Sequence, residues 1–211
     1  MKTEQLISQL QEDATSKAVF LPFKSWMLWS FVPMAMMILR FFLWQKQSPD
    51  LTKNFDLYFF QESLLLALLF VFIPYLTFKR SVPGFKNSKL TLFTAALFAS
   101  WLLLLVFRAT APDLQETHSV LFLKGMACSY EIFLMSLIPL VVIFFILKRG
   151  ASVHPIRSGI MAAASATMMG TLVLQVLCQS PSSVHVLAFH FGAVLLVSTI
   201  GAFLGTIFLR W

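Results

Sequence analysis

Long apolar runs broken by short polar stretches set the layout of this chain. Six runs stand out: Trp26 to Leu43, Phe60 to Phe78, Leu90 to Phe107, Ala127 to Leu147, Ile156 to Leu177 and Val184 to Leu209. Crossing a hydrocarbon core takes roughly 20 apolar residues per helix, so each run is long enough for one passage. The pattern predicts an all-α integral membrane bundle of six transmembrane helices. The fifth run carries the weakest signal, because SGIMAAASATMMG is rich in small residues. Its Gly159, Ala163, Ala166 and Gly170 recur three or four apart, the spacing of a helix pressed closely against neighbours. Pro33, Pro74 and Pro139 fall inside runs, where membrane helices tolerate a proline as a kink.

Ahead of the first run the pattern changes. In TEQLISQLQEDA, Leu6, Ile7, Leu10 and Ala14 lie at helical spacing, with Gln5, Gln9, Glu12 and Asp13 mostly on other faces. A short amphipathic helix is marginal alone in water and needs a surface for its stripe. That surface is either the membrane and the protein's own cytoplasmic loops, or a partner. Helices that lie on lipid usually carry a basic polar face, whereas this one holds Glu4, Glu12 and Asp13 against Lys2 and Lys17. Its acidity favours a groove on a soluble partner. The same acidic residues interrupt the basic-then-apolar pattern of a signal peptide. The expected organisation is a cytoplasmic N-terminal segment, 1–24, and a six-helix transmembrane domain, 25–211.

Composition agrees with a membrane class: 58% of residues are hydrophobic and 12% charged, against about a quarter charged in ordinary globular domains. The N-terminal segment, the connections after runs two and four, and the C-terminal end hold Lys2, Lys17, Lys24, Lys79, Arg80, Lys86, Lys89, Lys148, Arg149, Arg157 and Arg210. The other side holds only Arg40, Lys46, Lys53, Arg108 and Lys124. An excess of Lys and Arg marks the cytoplasmic side, which places both termini there. Attraction of basic loops to anionic lipid accounts for the net charge of +7, so no direct nucleic-acid partner is expected.

This topology bears on the two cysteines. Cys128 in GMACSYE opens run four, and Cys178 in LQVLCQSPSS closes run five. An even number of crossings separates them, so both reach the non-cytoplasmic face at similar depth. A disulfide can persist in such an oxidising compartment, provided the Cα atoms come within about 7 Å. The bilayer already restrains both helices, so a bridge would add little stability and could serve as a switch; a purely structural bridge or two buried thiols remain the alternatives. Glu131 lies one turn below Cys128, Gln175 one turn inside Cys178, and His185 and His190 enter at the start of run six. Such donors can bind a soft metal, but their spacing matches no zinc motif, and no metal ligand set or cofactor is assigned. Arg40, Glu62, Arg108 and Glu131 fall near outer helix ends and read as paired or snorkelling anchors. His118 reads as solvated.

Other classes are less well supported. No Asp, Glu, Lys or Arg falls near the middle of a run, where ion-coupled transporters keep functional charge. CxxC, HExxH, GxSxG and a phosphate-cradling glycine loop are missing, so the chain is not read as an enzyme and no catalytic residue is assigned. GAFLG in run six, with Gly201 and Gly205, serves packing within the monomer or a homodimer.

Several of these pieces together resemble the NrsF family of bacterial membrane anti-sigma factors. They are the opening MKTEQLISQL, a cysteine at the outer ends of runs four and five, the VPG of RSVPGFKNSK, the KRGASVHPIRSG turn, the Ser/Pro loop after Cys178 and the closing GAFLGTIFLRW. The likeness extends over essentially the whole chain. It departs at Leu177, where the family often has His, and at QSPSS, where acidic residues are common. The resemblance implies a regulator at the bacterial inner membrane that holds an extracytoplasmic-function sigma factor inactive. Sigma capture would then fall to Leu6, Ile7 and Leu10, and sensing of a redox or heavy-metal signal to Cys128 and Cys178. A small transporter or channel for a metal or thiol-reactive solute is the alternative reading.

Overall fold

A computed structural model describes residues 21–45, 57–82, 85, 88–110, 118–150, 152, 154–178 and 183–210. The N-terminal stripe of Leu6, Ile7 and Leu10 lies outside the described residues. Within them the structure is all helical: α1 (Pro22–Gln45), α2 (Leu57–Arg80), α3 (Ser88–Ala109), α4 (His118–Leu147), α5 (Pro155–Leu177), α6 (Ser183–His185), a π-helical segment (Val186–Phe191) and α7 (Gly192–Phe208). The last three run on as one rod. Among the described residues, six helices are long and apolar enough to cross a membrane, matching the six runs to within a few residues at each end.

The fifth run, modest on hydropathy because it is rich in small residues, is the centre of the bundle. Buried positions make up 67% of its spanning window, against 11% for α1. Small side chains explain both properties: Ala and Gly contribute little hydropathy, yet they let neighbouring backbones close in from several sides. Helix α5 packs against α1, α2, α4 and α7. Its tightest contact is with α7, where a Cβ on Gly159 would run into the Gly201 carbonyl, and one on Gly205 into the Pro155 carbonyl. The GAFLG motif is therefore spent inside the monomer. Leu28, Phe31, Leu92, Leu103, Phe145 and Phe203 point outward, as expected for side chains whose solvent is lipid.

Two polar side chains within the apolar layer find partners in a neighbouring helix or their own turn. Thr77 Oγ1 donates to the Ile73 carbonyl at 2.7 Å and lies 3.3 Å from Ser165 Oγ on α5. Trp29 Nε1 donates to the carbonyl of Pro139 at 2.9 Å, joining α1 to α4 beside its proline. Both interactions follow from the scarcity of water at this depth, which leaves backbone and hydroxyl groups only one another as partners.

Candidate functional site

The N-terminal part of the α4 span, the end of α5 and the start of the last rod meet at one end of the bundle. The basic residues Lys79, Arg80, Lys148 and Arg149 sit at the opposite ends of α2 and α4. Cys178 is the residue on which α5 stops: its N–H still bonds the Leu174 carbonyl at 2.8 Å, but its own backbone is extended, with φ −72° and ψ 125°. That turns the chain out of the helix and leaves the sulfur facing α4. Across the gap, half-buried Cys128 packs against the apolar cluster that includes Ile132, Met169, Val173 and Leu177. The two sulfurs stand 3.5 Å apart, well beyond the roughly 2.05 Å of a disulfide bond. Gly170 sets how closely the two helices approach, because a Cβ there would press on the Ile132 backbone.

His185 and His190 complete the cluster through an irregular stretch of helix. Five residues along an α-helix amount to a turn of about 140° between side chains, nearly opposite faces. The six residues Val186–Phe191 instead wind as a π-helix, in which positions five apart fall on the same side. The two imidazoles accordingly stand 5.3 Å apart between ring centroids. Both are fully buried. His185 Nε2 is 3.4 Å from Cys178 Sγ, and one donor atom from each of Cys128, Cys178, His185 and His190 lies within 4.8 Å of all the others. Among the described residues, neither ring nitrogen of His190 meets a partner in hydrogen-bonding geometry, and neither does Nδ1 of His185. Ser129, beside Cys128, ties this segment to α4 by donating to the Phe189 carbonyl at 2.9 Å.

A second layer surrounds the cluster. Glu62, only 1% exposed, has Gln175, Trp101, Arg108 and His190 around its carboxyl group. Arg108 Nη1 lies 4.0 Å from Glu62 Oε2, and its guanidinium stacks 5.0 Å over the Tyr58 ring. Arg40 on α1 forms an ion pair with Glu131 on α4. All four charged anchors are thus paired across helices. Glu131 is turned toward α1 and does not join the cysteines, a correction to its sequence grouping. Glu62 is more than an anchor: its carboxyl reaches inward to the site. Its pairing with Arg108 was the available signal, an acid opening one run and a base closing the next, both carried to the same end by the topology.

The family model described as NrsF, negative regulator of sigma F, matches residues 10–211. The match takes in every span and both cysteines, and it begins at Leu10, leaving Leu6 and Ile7 upstream. No curated protein and no solved structure matches the chain.

Proposed function

The chain belongs to the NrsF family of negative regulators of sigma F, and from that premise we propose that Cys128 and Cys178 are the sensor through which an external signal releases the sigma factor. The single observation that supports this is the 3.5 Å approach of two sulfurs carried by different spans. A sigma-factor regulator with six helices long and apolar enough to cross a membrane is suited to connect an event at the membrane with a soluble partner. On this reading the cysteine end faces the periplasm, as the charge bias argues, and the N-terminal helix holds an extracytoplasmic-function sigma factor in the cytoplasm through Leu6, Ile7 and Leu10.

Oxidation gives the switch a definite chemistry. Each thiol loses one proton and one electron, an S–S bond forms, and an external disulfide oxidant takes up the two electrons and two protons to become a dithiol. Closing the gap draws the sulfurs together by about 1.5 Å. Helix α5 carries that displacement inward, since it runs unbroken from the sulfur end to Pro155 and Gly159, where it meets α7. A difference of about 1.4 kcal/mol between the two packings changes sigma affinity tenfold.

The test uses the full-length protein in nanodiscs with its sigma factor. Retention on the reduced protein should fall at least tenfold after oxidation, and Cys128→Ser should abolish that response while keeping retention. Leu6→Asp combined with Leu10→Asp should abolish retention in either redox state. Oxidative release that survives Cys128→Ser places the sensor elsewhere, and wild-type retention by the double variant removes the helix from sigma capture. Solute flux through liposomes that persists without residues 1–20 would instead support the transporter reading.

A further inference from the structure

The geometry points to a four-ligand cation site: Cys128 Sγ, Cys178 Sγ and one ring nitrogen each from His185 and His190 bind a tetrahedral d10 divalent cation of the zinc type. As the identity of the released signal this rests on the sensor reading above; as a binding site it does not. The distances carry the assignment. With Zn–S near 2.3 Å and Zn–N near 2.0–2.1 Å, the edges of an S2N2 tetrahedron are about 3.8 Å for S to S and about 3.6 Å for S to N. The pocket already shows 3.5 Å between the sulfurs and 3.4 Å from Cys178 Sγ to His185 Nε2, with all four donors within 4.8 Å of one another. Small rotations about side-chain torsions place a cation among them.

Burial and charge point the same way. An ordinary packed histidine finds a partner for its ring nitrogens, because a buried polar atom left without one is destabilising. His190 is fully buried, and among the described residues both its nitrogens lack partners in bonding geometry. A cation on one nitrogen and the Glu62 carboxylate near the other would satisfy it, the carboxylate–histidine–metal arrangement that fixes ring orientation and raises ligand basicity. Arg108 in turn balances Glu62. Binding removes one proton from each thiol and releases both to solvent. Two thiolates and a divalent cation then sum to zero, the net charge best tolerated where water is scarce. Two thiolates with two imidazoles also favour zinc and its softer congener over magnesium or calcium, which select oxygen donors.

A cobalt(II) titration of the reduced full-length protein in nanodiscs, under argon, tests the assignment. Wild type should develop the intense ligand-field bands of tetrahedral cobalt together with a thiolate charge-transfer band, and zinc should bleach both. His190→Gln and His185→Gln should each weaken binding at least about tenfold and shift the ligand-field bands. Cys128→Ser should lose part of the charge-transfer intensity. His154→Gln, exposed beside the start of α5 at the opposite end, should behave as wild type. Because a variant can misfold, zinc protection is measured separately on wild type: bound zinc should slow maleimide capture of both cysteines and block their oxidation to a disulfide. Octahedral cobalt spectra, His variants with wild-type affinity, or thiols that zinc does not protect would each overturn the site. Tetrahedral binding without any release of sigma factor would keep the site and remove the cation as its signal.

Discussion

The two ends of the α5 contact with the last rod are built on opposite principles. Toward the basic end, Gly159 and Ala163 on α5 meet Gly201 and Gly205 on α7, backbone against backbone, with no room for a single added carbon. Toward the cysteine end, α7 gives way to a π-helical turn, the facing helix stops at Cys178, and thiols and imidazoles gather there. The seam offers dispersion contact over a rigid surface, which has one good geometry. The polar end has several, because thiols can bond, ligate or merely touch. If the cysteines are the sensor proposed above, a bundle with one fixed end and one adjustable end would pivot, and a displacement at the sulfurs would be expressed as a change of angle about the glycine seam.

Filling the seam is the strongest way to break this contrast. Gly201→Val places a branched side chain where even a Cβ would overlap Ala163 and the Gly159 carbonyl. Neither obstacle is the far end of a flexible chain, so the helices must separate, at a cost of about 3 kcal/mol. Thermal unfolding in detergent should show a large fall in Tm. A Tm equal to that of wild type would mean that the seam tolerates separation, and a fixed pivot would be lost with it.

The contrast was unevenly legible in the sequence. The seam could be read, since small residues three and four apart on the fifth and sixth runs announce close helix contact whatever their hydropathy. That both cysteines share one end also followed, from the parity of crossings alone. Their lateral approach did not, because it depends on how α4 and α5 are rotated, and that is set by the fit of Gly170 against the Ile132 backbone. The same rotation turns Glu131 toward Arg40. Least legible was the pairing of His185 with His190. A helix-wheel spacing places them on nearly opposite faces, and no composition signal marks the extra residue per turn that the π-helix absorbs. Deep burial of Glu62 escaped for a similar reason: depth along a helix is readable, but enclosure depends on which neighbours close over it, here Trp101 and Gln175.

A smaller effect sharpens the polar end. Ser129→Ala deletes the hydroxyl that donates to the Phe189 carbonyl at 2.9 Å, an interaction of about 1 kcal/mol. Its interest lies in what it holds: Phe189 precedes His190, and the ring of Phe189 lies where a side chain on residue 125 would be, a space left open by Gly125. Loosening this tie should lower Tm slightly and also weaken cobalt binding, since His190 loses its fixed position. A Tm change with unaltered metal affinity would show that Ser129 supports the fold and does not position the ligand.

The smallest expected change has the opposite sign and makes the fairest control. Gly192 joins the π-helical segment to α7 with helical angles, φ −57° and ψ −42°, and a Cβ there would meet nothing within 4 Å. Alanine suits a helical backbone better than glycine by about 0.8–1.0 kcal/mol and here overlaps no neighbour. Gly192→Ala should therefore raise Tm a little, leaving the cysteines and histidines where they are. Glycines on one rod, nine residues apart at 192 and 201, would then respond to added carbon in opposite directions. Destabilisation at both would mean that the cysteine end is as tightly packed as the seam, and an adjustable end would have no physical basis.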